Sequence, residues 1–382
     1  MPVDPAFAGR VYPPAEPYQV GREKLREFAA ATGATHPACF DPRAAALLGH
    51  PDVVAAPTFV AVVAQRAEAA YIADPAAGID FSRVVHAEES IRHHRPLFAG
   101  DTLTAVLHVA AIRHRRGVVM VTTEVHLHDA DRLPVADLTS TLAIRLPPTD
   151  PAPSTAATPT APGSALATGP TPAVATPVRA TGPTPAVATP ARATAAATVP
   201  TVAAAMPAAA AARPTLAVAT PAAPALGLGP AQTEPSQPGA APADAARPET
   251  AVAPRQALDA VEIPLTREDL VRYAGASGDF NPIHWSEAAA RQAGLPGVIA
   301  HGMLTMGRVS QLAVNWAGDP GAVVEFAVRF ARPVPVPDAG VARLVASGHI
   351  AALRDGCTTI NFDVTLDGAR VLGKAQAQVR SA

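Results

Sequence analysis

The chain has 382 residues, a length that predicts two or three domains rather than a single core. Its formal net charge of −2 gives no overall attraction for nucleic acid or a membrane surface. Its two cysteines, Cys39 and Cys357, do not form the pattern of a disulfide framework. The first residues show no basic segment followed by an apolar run, and no stretch of about 18 strongly apolar residues appears. We therefore expect a soluble cytoplasmic protein with no membrane span and no nucleic-acid partner.

The first predicted elements are two helices followed by strands. One helix lies near Glu23–Thr32 and is expected to end at Gly33, because glycine readily takes the left-handed conformation that closes a helix. A longer helix lies near Thr58–Tyr71. An alternating, β-branched run over 101–129 then predicts an antiparallel hairpin. Helices followed by a run of strands are typical of an α+β domain.

The composition changes sharply over 148–254, where Ala, Pro and Thr dominate. Prolines recur every few residues, so neither a helix nor a paired strand can propagate. An imperfect repeat is visible in 168–180 and 181–193, but it carries no apolar stripe that would pack as a solenoid. We therefore predict a disordered linker with polyproline character between two domains, residues 1–147 and 255–382.

The second block repeats the order of elements in the first. A helix is predicted over Arg267–Ser277, where Thr266 and Asp269 have the spacing of a capping box. A longer helix is predicted over Met303–Ala317. Three alternating runs then predict antiparallel hairpins, over 340–353, 357–368 and 370–379.

The two blocks are related copies. Gly21–Pro57 aligns without a gap with Thr266–Gly302 at an offset of 245, and 13 of 37 positions are identical. Further on, 91–101 matches 328–338 at an offset of 237. The difference between the two offsets means that the second block has lost eight residues in between.

The second block carries a group of polar residues in the segment "GDFNPIH". Asp279 and His284 flank a proline turn that can direct both side chains toward one point. An acid and a base at one point are what a proton transfer between neighbouring atoms needs. On the residues alone, Asp279 and Asn281 also fit a turn in which they only satisfy backbone groups.

A family resemblance favours the first of these interpretations. The segments "YAGASGDFNPIH" and "IAHGMLTMG" resemble the signature of the MaoC-like, or hydratase-2, family of (R)-specific enoyl hydratases and dehydratases. The segments "VGREKLREFA", "GHPDVVAAPTF" and "RPLFAGD" of the first block resemble the non-catalytic subunit of two-subunit (3R)-hydroxyacyl-ACP dehydratases in mycolic-acid-making bacteria. The resemblance implies an α+β double hot-dog, in which antiparallel sheets wrap long helices and the two copies form an intramolecular pseudo-dimer.

The resemblance also implies the roles of the site residues. Asp279 and His284 are the implied catalytic pair, and we expect His284 to exchange the α-proton while Asp279 handles the hydroxyl. One of the two is expected to hold a proton before dehydration starts, so they should titrate together. Asn281 is expected to orient the substrate or the loop. The sequence does not fix which of Asp279 and His284 takes the α-proton.

Two neighbouring residues complete the predicted site. Gly302 stands where the second long helix begins, so its free N–H and the helix dipole are expected to face the substrate carbonyl. His301 is expected to line the substrate pocket or to lie just behind it. We find no metal or nucleotide motif and predict no cofactor.

The first copy lacks these groups. Ala34 aligns with Asp279, Cys39 with His284, and His36 with Asn281. Pro57 replaces Gly302 and has no N–H, although proline suits the first turn of a helix. We therefore predict one active site, in the second copy, and expect the first copy to shape the acyl tunnel. A role for Cys39 as a thiol nucleophile is the weaker alternative, because most free buried cysteines are structural.

The predicted function is dehydration of (3R)-3-hydroxyacyl thioesters in fatty-acid elongation, with an acyl carrier protein as a partner. An (R)-specific enoyl-CoA hydratase is the alternative, because the same chemistry runs backward on a different carrier. A hot-dog thioesterase and a non-enzymatic acyl-binding scaffold are weaker hypotheses. The basic segments "IRHHRP" and "IRHRRG" of the first block would suit an acidic carrier, but they equally suit a solvated sheet edge.

Overall fold

One antiparallel sheet of 11 strands runs through both halves of the chain. The computed structural model describes residues 3–146 and 257–381, except Ala15 and Arg116. The predicted linker, 148–254, lies outside the described residues. The strands of the N-terminal half are β1 Val11–Tyr12, β2 Tyr18–Gln19, β3 Val84–His93, β4 Thr102–Arg115, β5 Val118–His128 and β6 Pro134–Arg145. Those of the C-terminal half are β7 Ala257–Leu265, β8 Val323–Phe330, β9 Ala342–Arg354, β10 Cys357–Leu366 and β11 Ala369–Arg380.

The strand order is β1-β4-β5-β6-β3-β8-β11-β10-β9-β7, with β2 also pairing with β4.

The predicted alternation of apolar and polar residues explains how one face of the sheet covers a core. In β5, every second residue is buried, from Val119 through Thr123 to Leu127, because successive side chains point to opposite faces of a strand. Hairpin β4–β5 confirms the prediction made for 101–129.

Each half places one long helix against its strands. The helices are α1 Arg22–Ala31, α2 Pro42–Leu47 and α3 Val60–Ile72 in the first half, and α4 Arg267–Ser277, α5 Glu287–Gln292 and α6 Gly302–Ala317 in the second. Helix α6 is buried over most of its surface and contacts β8 and β11, while α3 contacts β4 and β5. A sheet wrapped around a buried helix is the hot-dog arrangement, and it occurs here twice.

The two copies meet at a local two-fold axis. Strand β3 pairs with β8, and Ser90 lies opposite Ala327, its own counterpart at the offset of 237. On either side of this pair, Glu89 lies opposite Val328 and Ile91 opposite Phe326. Each of these partners is the counterpart of the other residue, as a two-fold axis requires.

The isolated strand bridges support the alignment of the copies. Val54 pairs with Phe98 in the first half, and Ile299 pairs with Pro335 in the second. These pairs are related by the offsets of 245 and 237. The counterparts Phe28 and Tyr273 also contact each other, with ring centroids 5.9 Å apart, and both are fully buried.

The helix predictions hold with one exception. Helix α4 covers Arg267–Ser277 as predicted and has the Thr266–Asp269 capping box. The prediction that Pro57 keeps the start of the long helix is wrong, because α3 begins only at Val60. The preceding turn is closed by hydrogen bonds between residues three apart, such as that from the N–H of Val62 to the carbonyl of Phe59, rather than four apart.

One of the two basic segments of the first block, residues 91–96, is partly neutralised within the fold. Arg95 makes ion pairs with Asp101 and Asp129, and His94 lies 2.7 Å from Asp137. This pairing favours a structural role for 91–96, whereas Arg113, His114 and Arg115 of the other segment are exposed. Among the residues that the structure describes, no helix has the length and apolar character needed to cross a membrane.

Candidate active site

A short turn after α4 brings the predicted catalytic residues together. Helix α4 ends at Gly278, whose φ of 84° reverses the chain direction. The chain then forms a 3₁₀ turn over Pro282–His284, which begins with proline and is capped by Asn281. This turn and the start of α6 place a carboxylate oxygen of Asp279 and ring nitrogens of His284 and His301 within 4.8 Å of one another.

A backbone contact fixes the tautomer of His284. Its Nδ1 lies 2.9 Å from the carbonyl oxygen of Ile299, so Nδ1 carries the hydrogen and donates it. In the neutral ring, Nε2 is then the basic atom. Burial lowers the pKa of His284, and the nearby Asp279 offsets this effect only in part. The imidazole is therefore neutral at neutral pH and ready to accept a proton.

Asp279 is surrounded by imidazoles. Burial alone would raise its pKa, but His301, His284 and His86 together outweigh burial and leave the pKa below its ordinary value. One carboxylate oxygen accepts the N–H of Asn281 at 3.1 Å, which leaves the other for a substrate. Asp279 is therefore a carboxylate at neutral pH.

His301 lies behind the catalytic pair. Its ring stacks on that of His284 with centroids 3.8 Å apart, and its Nε2–H donates to the carbonyl of Asp279 at 3.1 Å. It is 1% exposed, and it is not among the described residues that line the cavity. Burial and the neighbouring His284 lower the pKa of His301 to about 3. Of the two positions expected for His301, the structure has the one just behind the pocket, where its ring packs against the catalytic pair.

Asn281 lines the cavity, and its amide is hydrogen-bonded to backbone groups of both halves. Its Nδ2 donates to the carbonyls of Phe81 at 3.0 Å and Val84 at 3.2 Å, both in the N-terminal half. Its Oδ1 accepts the N–H of Ile283 at 3.3 Å. Both amide hydrogens are thus used, so the amide ties the catalytic turn to the other half of the chain.

The first copy has an equivalent hydrogen bond between the halves, although it lacks the catalytic residues. His36, the counterpart of Asn281, accepts the N–H of Ala38 and donates to the carbonyl of Gly318 at 3.0 Å. Gly318 is the counterpart of Phe81 at the offset of 237. The same two contacts therefore occur in both copies, as a structural role predicts.

Gly302 occupies the predicted position at the start of α6. As the first helical residue, its N–H has no partner within the helix, and it lines the same cavity as Asp279 and His284. A Cβ atom at this position would lie 3.0 Å from the ring of Phe330. A side chain here would require the Phe330 ring to shift by a few tenths of an ångström, so glycine suits the close packing at this wall.

The cavity in front of these residues has a volume of about 260 Å³ and is built by both halves. The C-terminal half contributes the catalytic pair, Gly302 and apolar residues such as Ile299 and Leu372. The N-terminal half contributes one wall: Phe81, Val84, Val85, His86, Ala87, Ala143 and Arg145. An apolar pocket with few polar groups suits an acyl chain that carries one reactive end.

The equivalent cavity of the first copy has collapsed to about 10 Å³. His93, the counterpart of Phe330, fills it and donates from Nε2 to the carbonyl of Pro57 at 2.8 Å. Burial raises the pKa of Cys39 to about 12, so its thiol stays protonated at neutral pH. Ala34 and Cys39 are both buried beside each other. The first copy thus has neither space nor groups for this chemistry.

The cluster of Asp279, His284 and His301 has the composition of a metal site, but its geometry favours an acid–base pair. Metal-bound imidazoles direct their ring nitrogens at one ion about 2 Å away. The rings of His284 and His301 are stacked, with only 26° between their planes. Lone pairs in stacked rings run side by side instead of converging on one point.

Sequence reasoning missed His86 and Arg145, which reach the cavity from the N-terminal half. The available signal was the internal duplication. In copies that meet at their sheets, the strand after the long helix of one copy faces the site of the other. This rule would have directed attention to β3 and His86, whereas Arg145 lies at the end of the neighbouring strand β6.

Comparisons with known proteins agree with these observations. A family model described as a MaoC like domain matches residues 249–368, and one described as a FAS1-like dehydratase domain region matches residues 6–138. A UPF0336 protein of Saccharopolyspora erythraea is 44% identical over 151 residues, 40% of this chain and 97% of that protein. A UPF0336 protein of Clavibacter michiganensis is 49% identical over 145 residues, 38% of this chain and 97% of that protein.

Solved structures match the whole chain. A MaoC-like dehydratase is 29% identical, with 99% of each chain covered and a TM-score of 0.68. A Mycobacterium tuberculosis protein described as a double hotdog fold is 14% identical, with 98% of this chain and 96% of that chain covered and a TM-score of 0.53. The second likeness concerns the fold alone. The chain therefore belongs with the UPF0336 proteins, contains a MaoC like domain and a FAS1-like dehydratase region, and has the fold of a double hot-dog.

Proposed function

We propose that this protein removes water from (3R)-3-hydroxyacyl thioesters to give trans-2-enoyl thioesters in fatty-acid elongation. The observation that carries this proposal is a carboxylate oxygen of Asp279 within 4.8 Å of a ring nitrogen of His284, whose Nε2 is the basic atom, with Gly302 lining the same cavity. The reaction needs a base at C2, a group that handles the hydroxyl at C3 and a donor for the carbonyl oxygen. The site contains one candidate for each role.

In the proposed reaction, Nε2 of His284 takes a proton from C2. The electrons of the C2–H bond form the new double bond as the C3–O bond breaks. Negative charge that develops on the thioester carbonyl is stabilised by the N–H of Gly302 and the positive end of α6. The hydroxyl leaves with one proton as water.

The resting protonation of the pair indicates where that proton comes from. The sequence led us to expect one member of the pair to hold a proton at the start. The lowered pKa values of both Asp279 and His284 instead favour a carboxylate and a neutral imidazole. The proton removed from C2 is then the one delivered to the departing oxygen, which Asp279 holds by accepting a hydrogen bond. The pair ends the cycle as it began.

The N-terminal half has a supporting role in this proposal. It forms a pseudo-dimer with the C-terminal half, supplies an apolar wall for the acyl chain and holds the catalytic turn through Asn281. Two exposed arginines, Arg145 and Arg332, also line the cavity. Their charge suits the phosphate of the carrier arm, which acyl carrier protein and coenzyme A share, and we propose acyl carrier protein as the physiological partner.

The direct test is an assay of the purified protein on (3R)-3-hydroxyacyl thioesters of several chain lengths, on both carriers. We expect formation of the enoyl thioester, seen by its ultraviolet absorbance, with faster turnover on acyl carrier protein. The (3S) substrates are the matched controls. Release of free thiol without enoyl formation would instead identify a thioesterase, and no turnover on any substrate would contradict the proposal.

A further inference from the structure

The N-terminal half presents one imidazole to the catalytic cavity. His86 lies on β3, next to a bulge at which the register with β6 shifts between His86 and Glu88. Bulges of this kind often redirect a side chain toward a site. His86 is half-buried and lines the same cavity as Asp279 and His284.

Phe330 links His86 to the carbonyl donor. The His86 ring lies edge-on to the Phe330 ring, with centroids 6.3 Å apart. The same Phe330 ring approaches the Cβ position of Gly302 to 3.0 Å. One aromatic side chain therefore contacts both groups, which places the imidazole on the side of the cavity where the thioester carbonyl would lie.

The position of His86 is asymmetric between the two copies. Its counterpart at the offset of 237 is Val323, which lines the collapsed cavity of the first copy. The other residues around His86 on this wall, Val84, Val85 and Ala87, are apolar. The imidazole therefore occurs on the wall that faces the catalytic pair Asp279 and His284. A valine occurs at the equivalent position of the wall that faces the first copy, which lacks such a pair.

We propose that His86 is a substrate-contacting residue that donates a second hydrogen bond to the thioester carbonyl, together with the N–H of Gly302. This proposal rests on the proposed dehydratase function. Sites that stabilise a developing oxyanion commonly combine a backbone N–H with a second donor, and a neutral imidazole carries one N–H. The other reactive atoms already have candidates, since His284 faces the C2 proton and Asp279 the hydroxyl. The non-catalytic half would then supply part of the catalytic machinery.

The test compares His86→Gln, which keeps a donor, with His86→Phe, which keeps a planar ring without one, in the full-length chain. His86→Phe is expected to lower kcat/KM by about 10²–10³-fold, mainly through kcat, because the lost bond matters most in the transition state. His86→Gln should stay within about tenfold of the wild type. His94→Ala, which alters a histidine on the surface next to β3, is the control and should leave turnover unchanged.

A third variant separates chemistry from folding. Added imidazole should restore part of the turnover of His86→Ala, whose vacated space admits it, but not that of His86→Phe. Equal losses in the Gln and Phe variants, or full activity of the Phe variant, would overturn the role of His86. A wild-type chain that is inactive on every 3-hydroxyacyl thioester would overturn the proposed function itself, and that result is seen before any variant is made.

Discussion

Replacing Asn281 by alanine should destabilise the protein and misplace the catalytic pair. The amide makes three hydrogen bonds, to the carbonyls of Phe81 and Val84 and from the N–H of Ile283. At a net value of about 1 kcal/mol each, their loss lowers the free energy of unfolding by roughly 3 kcal/mol. With an unfolding entropy of about 2.1 cal/mol/K per residue over the roughly 270 described residues, that corresponds to a fall in Tm of roughly 5 °C.

The same change should affect turnover more than substrate binding. Asn281 does not need to touch the substrate, because both of its amide hydrogens are engaged with the N-terminal half. Displacement of the turn that carries Asp279 and His284 should lower kcat by about tenfold or more with little change in KM. Thermal unfolding and steady-state kinetics on the same preparation measure both effects.

The equivalent residue of the first copy provides a matched control. His36→Ala removes two hydrogen bonds, one of which also crosses between the halves. It should lower the stability by about 1–2 kcal/mol, since His36 is partly exposed, and leave kcat unchanged. A normal Tm with a raised KM for Asn281→Ala would show that Asn281 binds the substrate. A large loss of kcat in His36→Ala would contradict the structural comparison of the two copies.

Three further outcomes are expected. In a pH profile, kcat/KM should rise with pH to a plateau, with its midpoint below 6.5 because burial lowers the pKa of His284; a fall on the alkaline side near neutral pH would show that the pair must start with a proton. Burial and Glu68 raise the pKa of Glu89 well above 4.5, so its contribution to stability is present at acid pH and lost as the pH rises. Glu89→Gln should therefore raise Tm more at pH 8 than at pH 5, and equal changes at both would contradict this. After limited proteolysis within 148–254, the two halves should elute together on gel filtration and the complex should remain active, because β3 pairs with β8. If the halves separate at micromolar concentration and the C-terminal half alone is fully active, the cavity is not shared between them.

The sequence predicted the elements whose signals are local. Helix α4 has a capping box at one end and glycine at the other, so its bounds could be read directly. The strands β4, β5, β9, β10 and β11 alternate in hydrophobicity because one face of each lies on the core. The strands at the centre, β3 and β8, were missed, and so were β6 and β7. The buried positions of β3 include Glu89, and its bulge interrupts the alternation.

The site was predicted in part for a similar reason. Asp279 and His284 lie in one turn, so the turn itself brings them together. Asn281 and His301 donate to backbone carbonyls, Asn281 to that of Phe81 and His301 to that of Asp279. Every residue has a backbone carbonyl, so the sequence does not show which ones accept these hydrogen bonds. Nothing in their residue types distinguishes a side chain that binds substrate from one that holds the backbone. The approach of His86 to the cavity depends on how the two copies pair, which the internal duplication signals only indirectly.

The central claim is that the chain has one active site, formed by Asp279 and His284 in the second copy. Its most direct test is the turnover of Asp279→Asn and His284→Ala beside that of Cys39→Ala on a 3-hydroxyacyl thioester, with folding checked by thermal unfolding. Each of the first two changes should lower kcat/KM by about 10²–10⁴-fold, as the loss of one acid–base group does. Cys39→Ala should leave it nearly unchanged, because that thiol is buried and protonated. Near-normal activity of Asp279→Asn or His284→Ala, or a comparable loss in a folded Cys39→Ala, would contradict the claim.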